Sequence, residues 1–157
     1  MSLETEFGHK LAHIGLNQTE VAQFGLMNAI EASLWRNRCE EELPLHHQFI
    51  DGFYVRTIRM PKGSLVISKT HDTWHPFVIT NGHGIVMEEI EGKITKQYEY
   101  IAFGEGEHFT CLTEPGTRRL IYCMEDTVWT TFHPTGVKTP EEFEAKYIRP
   151  NTNPLLR

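Results

Sequence analysis

Between residues 17 and 43, the apolar residues Val21, Phe24, Met27, Ile30 and Leu34 recur every three or four positions. That is the period of one helix face. Asn17 followed by Glu20 has the spacing of a capping box, and Pro44 ends the pattern. The chain is therefore predicted to carry a helical arm over 17–43, with Gly25 as a weak point inside it. From about 47 to 133 the character changes. Short runs of Val, Ile, Tyr, Phe and Thr alternate with Gly, Asn, Asp and Pro. Strands are predicted at 53–60, 64–70, 74–80, 84–89, 93–98, 107–112, 118–123 and 128–133. Pro61–Gly63, Asn81–Gly84 and Glu91–Gly92 read as turns between them. Many short strands at near-regular spacing predict a β-sandwich or barrel over 47–133. Thr139 as N-cap, Pro140 at the first helical position and Glu142 predict a short helix over 139–149, before Pro150. The expected whole is a single mainly-β domain over 1–157.

Composition narrows the function classes. The formal net charge is -6, and Lys and Arg form no cluster. Such a chain lacks the positive stripe that offsets phosphate charge, so no nucleic-acid partner is expected. No apolar run approaches the roughly 20 residues of a membrane span, and the polar start predicts no signal peptide. Cys39, Cys111 and Cys123 are odd in number and form no C-x-x-C. Free thiols and a cytoplasmic location are expected.

The candidate chemistry lies in GSLVISKTHDTWHPFVITNG, residues 63–82. Gly63 is followed by five residues and Lys69, one residue and His71, three residues and His75, then six residues and Gly82. This spacing resembles the first diagnostic stretch of the cupin superfamily, G-x5-H-x-H-x3/4-E-x6-G. Lys69 stands in place of the first histidine and His75 in place of the glutamate. Residues 114–119, EPGTRR, resemble the end of the second stretch, P-x-G-x-x-H. Gly116 is kept, the proline is shifted to Pro115, and Arg119 stands where the histidine would be. The similarity covers roughly residues 52–133. More narrowly, LPLHHQFIDGFYVRTIRMPKG and TEPGTRRLIYCMEDTVWTTFHPT resemble small cupin-like proteins of bacteriophages and prophages. The resemblance implies a cupin-type double-stranded β-barrel (RmlC-like jelly roll) with an N-terminal and a short C-terminal helix. It also implies a phage or prophage origin, and no particular activity.

Lys69 and His71 are two apart on a predicted strand and share a face. Barrel closure is expected to bring His75 and Arg119 toward them, with Tyr54 or Arg56 adding donors. Two readings of such a pocket follow. Imidazoles suit one divalent transition metal (Zn, Mn, Fe or Ni), with His71 and His75 as ligands and His133 as a third. Against that, Lys69 and Arg119 are cations, and they favour a small anionic ligand. His133 depends on a hairpin. If Glu125 and Asp126 form a two-residue turn, cross-strand pairing puts Arg119, Ile121, Cys123, Val128, Thr130 and Phe132 inward. His133 then faces out with Tyr122 and Trp129, and a longer turn or a bulge reverses this. His108 is a reserve ligand. The helix stripe and the Trp129 face call for cover, so a homodimer is expected. Two other function classes remain open. One is a ligand-free interaction scaffold for a host or virion protein, and the other a metal-dependent cupin enzyme.

Overall fold

The computed structural model describes residues 2–37 and 42–156. The chain forms two compact units. One is the chain up to Glu42 with the tail from Pro150, and the other is Leu43–Arg149.

The first unit is helical. It holds α1 (Leu3–His13), α2 (Gln18–Phe24) and α3 (Leu26–Arg36). The expected arm over 17–43 is thus two helices, because Gly25 sits at φ 89 between them. Only glycine takes that conformation without strain. The Asn17 cap forms as expected, with its side chain accepting from Thr19 N at 2.9 Å and Glu20 N at 3.2 Å. Residues 38–41, the end of the expected arm with Cys39, lie outside the described residues. Helix α1 was not expected from the apolar pattern. Its signal is local: Ser2 caps it by accepting from Thr5 N, and Glu4 and Glu6 sit in its first turn.

The second unit is antiparallel β. Its strands are β1 (Leu45–Ile50), β2 (Phe53–Met60), β3 (Leu65–Ile67), β4 (His75–Ile90), β5 (Lys93–Ala102), β6 (Phe109–Thr113) and β7 (Thr117–Pro134). Helix α4 (Pro140–Tyr147) follows, with Thr139 accepting from Glu142 N. The two longest strands organise the rest. β4 and β7 pair along their lengths, from Phe77 opposite Thr131 to Ile90 opposite Thr117. The first half of β4 pairs with β6, and the second half with β5. The first half of β7 pairs with β3, and the second half with β2, which carries β1. One sheet thus divides into two layers at the middle of its two longest strands, as in a jelly roll.

Two expected turns are corrected by this. Asn81–Gly84 does not end a strand but is the corner of β4, where the register against β7 shifts three times between Ile79 and Gly84. Likewise the hairpin at Glu125–Asp126 does not form, and β7 runs through it. The consequence is one of parity. A two-residue turn would have moved the inward set from odd to even positions, whereas a continuous strand keeps it odd. Ile121, Cys123 and Trp129 therefore share the core with Met60, Phe77, Ile79, Val86, Tyr100 and Ala102. Phe77 stacks on Trp129 with ring centroids 4.3 Å apart. Trp129 is thus inward, not outward, and Met27, Ile30 and Leu34 are buried in the single chain. Val21 and Phe24 of the same stripe are only half-buried.

Candidate binding pocket in the barrel

His133 shares the parity of Trp129, and so it is buried rather than facing out. It lies beside Tyr54, its cross-strand partner on β2. His75 opens β4, and His71 sits in the segment before it. That segment is tied to the chain after α4: His71 bridges to Ile148, Asp72 N donates to Tyr147 O at 2.9 Å, and Arg149 N donates to Thr70 O at 2.9 Å. The three imidazoles cluster. Ring centroids are 4.8 Å apart for His71 and His75, 5.1 Å for His71 and His133, and 4.4 Å for His75 and His133. Phe143 of α4 packs on His133 at 4.7 Å and on Tyr54 at 4.8 Å. The phenol of Tyr54 hydrogen-bonds His47 Nδ1 at 2.6 Å, so His47 joins the cluster's far side.

Burial holds all three imidazoles neutral. It pushes His71 down to about 2, with His75 and His133 next to it adding to the effect. His133 is pushed down to about 3, again first by burial. Burial also lowers His75 to about 4, against an upward pull from the Thr73 carbonyl. In an unfolded chain each would titrate near 6.5. Below that pH the unfolded chain binds protons that the folded one refuses, so stability falls as pH falls. The expected loss begins near pH 6.5 and continues at least to pH 4, by up to about 1.4 kcal/mol per pH unit for each imidazole. Urea unfolding at pH 7, 6, 5 and 4.5 checks it, and His133→Gln should flatten the slope.

A cavity of about 180 Å³ opens beside His71 and His75, lined also by Arg56, Lys69, Arg119 and Trp129. It is smaller than the roughly 300–1,000 Å³ of sites for drug-sized ligands. Lys69 reaches it only at the rim. Its side chain is 56% exposed and ion-paired with Glu144. Arg119 is inward and buried as expected, but it is not free. Its Nη2 donates to Thr113 Oγ1 at 2.8 Å and to Glu88 Oε1 at 3.4 Å. Its guanidinium also lies over the Phe77 ring at 4.7 Å. Glu88 is the cross-strand partner of Arg119 and is 4% exposed. Arg119 Nε and Glu88 Oε2 are buried without a hydrogen bond. Arg56, on β2, makes no ion pair among the described residues. His108 lies outside this group, exposed, with its ring at the Gly106 carbonyl.

The metal reading can be tested on this geometry. Rings bound to one tetrahedral ion stand roughly 5 Å apart, given metal–nitrogen bonds of about 2.0–2.1 Å. The spacing of the three imidazoles matches. Their donor atoms do not: among the described residues no three His, Cys, Asp or Glu side chains form a group that could hold an ion. His75 Nδ1 is 3.2 Å from the Thr73 carbonyl and His133 Nε2 is 2.9 Å from Thr131 Oγ1, which leaves His75 Nε2 and His133 Nδ1 as the nitrogens available to an ion.

No protein-family model and no curated protein matches the sequence. Solved structures do match, at low identity, and some of them are described as cupins. Against the oxalate decarboxylase of Bacillus subtilis, a protein with Mn(II) centres, the TM-score is 0.51 at 9% identity, over 64% of this chain and 28% of that one. The cupin domain of Cnp3 from Schizosaccharomyces pombe gives 0.46 at 16%, over 60% of this chain and 62% of that one. The capsular polysaccharide assembling protein CapF from Staphylococcus aureus gives 0.43 at 16%, over 67% and 32%. The chain thus spans about a third or less of two of these three proteins. The fold is a cupin jelly roll, mostly antiparallel β with helices at both ends. Among the described residues, no helix is long and apolar enough to cross a membrane.

Proposed function

We propose that the barrel is a binding site for a small anion, with Arg56 as its anchor. The observation that carries this is the guanidinium of Arg56, which lines the cavity with no carboxylate paired to it among the described residues. Arg56 is half-buried, and the Glu144 carboxylate that acts on it is itself ion-paired with Lys69; an oxyanion with two acceptor oxygens matches its fork of donors. The neutral imidazoles of His71 and His75 add hydrogen-bonding groups without adding charge. The cavity volume restricts the ligand to a few heavy atoms, such as a short carboxylate or an inorganic oxyanion.

The test is a thermal-shift and calorimetric series with formate, acetate and nitrate in buffer free of other small anions. Wild-type protein is expected to bind at least one of them, and Arg56→Met to lose at least about tenfold in affinity. Equal affinity in Arg56→Met, at unchanged stability, rejects the proposal. A second reading is a divalent ion on His71, His75 and His133. It is favoured by the buried Nδ1 of His133, which makes no hydrogen bond. It requires the rings to rotate until their donors converge.

A further inference from the structure

We propose that this site selects singly charged anions over doubly charged ones, and that Glu88, which lies behind Arg119, sets that preference. The inference rests on the anion site proposed above and adds its charge class. The cavity wall contains two guanidiniums, Arg56 and Arg119. Taken alone, two arginines on a small cavity would suit a dianion. Glu88 changes the sum. Its carboxylate is directly opposite Arg119 on the neighbouring strand, 3.4 Å from Nη2, and both side chains are buried.

The remaining groups add nothing. Burial keeps His71, His75 and His133 neutral, and Tyr98, near Arg119 and Glu88, has its phenol pushed up by burial. At the rim, Lys69 and Glu144 cancel as a pair. Two positive charges and one negative leave a net charge of one. A monoanion brings the site to neutrality, whereas a dianion leaves one buried charge uncompensated. Charge count, not shape, is therefore the discriminating property, because nitrate and formate differ in form yet share their charge.

Substituting Glu88→Gln keeps an acceptor for Arg119 and removes the negative charge. The site then carries two positive charges, and a dianion gains relative to a monoanion. A unit charge within roughly 10 Å, at an effective dielectric of about 20, changes relative affinity by more than about tenfold. Dianions are also harder to dehydrate than monoanions, so a wild-type preference alone has two causes. The informative quantity is how the preference moves when Glu88 changes.

The experiment measures affinities of formate, acetate and nitrate against sulfate and malonate at pH 7.5 and matched ionic strength. Wild type, Glu88→Gln, and Glu88→Gln combined with Arg119→Gln are compared. The double variant returns the net charge to one. The expected result is a monoanion preference in wild type and a shift toward dianions of more than about tenfold in Glu88→Gln. The preference returns in the double variant. An unchanged ratio in Glu88→Gln overturns the inference, as does wild-type protein that binds sulfate or malonate as tightly as formate. Should Glu88→Gln fail to fold, Thr131→Lys, which adds a positive charge to the same cavity wall, is expected to move the ratio toward dianions in the same sense, and an unmoved ratio there overturns the inference. If wild type binds neither class, the anion site itself is wrong and this inference falls with it.

Discussion

Glu88→Ala is expected to cost roughly 3–5 kcal/mol of stability, read as a lower urea midpoint at unchanged slope. Glu88 and Arg119 are cross-strand partners inside the barrel, with side chains only 5% and 6% exposed. Removing the carboxylate leaves a guanidinium that still fills its place between Phe77 and Thr113 but has lost its counter-charge. The penalty is that of an unpaired buried ion, which is larger than the net contribution of the pair. That distinction gives a control. Replacing both residues at once, Glu88→Leu with Arg119→Met, removes both charges and should recover most of the loss. A Glu88→Ala cost under about 1 kcal/mol would mean that water reaches Arg119 freely.

The second large effect is at the strand corner. Gly84→Ala is expected to cost at least about 3 kcal/mol, the upper range for overpacking a filled interior. A Cβ on Gly84 would stand 2.3 Å from the Tyr122 carbonyl oxygen and 2.5 Å from the Tyr100 hydroxyl. Neither neighbour can yield cheaply. Tyr122 O belongs to the backbone of β7, and Tyr100 is fully buried with its hydroxyl 2.8 Å from Thr127 Oγ1. Gly136→Ala is the matched control. Nothing lies within 4 Å of its Cβ position, so its effect should stay within about 0.5 kcal/mol. Thermal unfolding of the two variants side by side checks both numbers.

The same corner explains how far the sequence could be read. Strand β2 was legible to the residue in FYVRTIRM, and α4 was announced by Thr139 and Pro140, because both signals are local. Asn81–Gly84 carries the chemistry of a tight turn, yet its glycines serve a strand that bends between layers and packs against a neighbouring backbone. Local composition does not separate those two uses, because the difference lies in what approaches the glycine from β7. The hairpin expected at Glu125–Asp126 failed for the same reason, and the error carried the parity of Trp129, Thr131 and His133 with it. Arg119 was found by its spacing from Gly116. Glu88 was missed, since a single glutamate in IVMEEI gives no sign that it faces inward until β4 is laid against β7. Arg56 reads in the sequence only as an added donor on the strand before the motif. Its importance comes from lining the cavity with no ion pair among the described residues, and that property belongs to the folded arrangement alone.

The central claim is that an anion sits on Arg56 inside the barrel. Anomalous diffraction from crystals grown with bromide tests it most directly. The account predicts a bromide peak within hydrogen-bond reach of the Arg56 guanidinium, on the side of the cavity facing His75, and no such peak in Arg56→Met. A cavity that shows no bromide peak would contradict the account. So would a metal peak bonded to His71, His75 and His133.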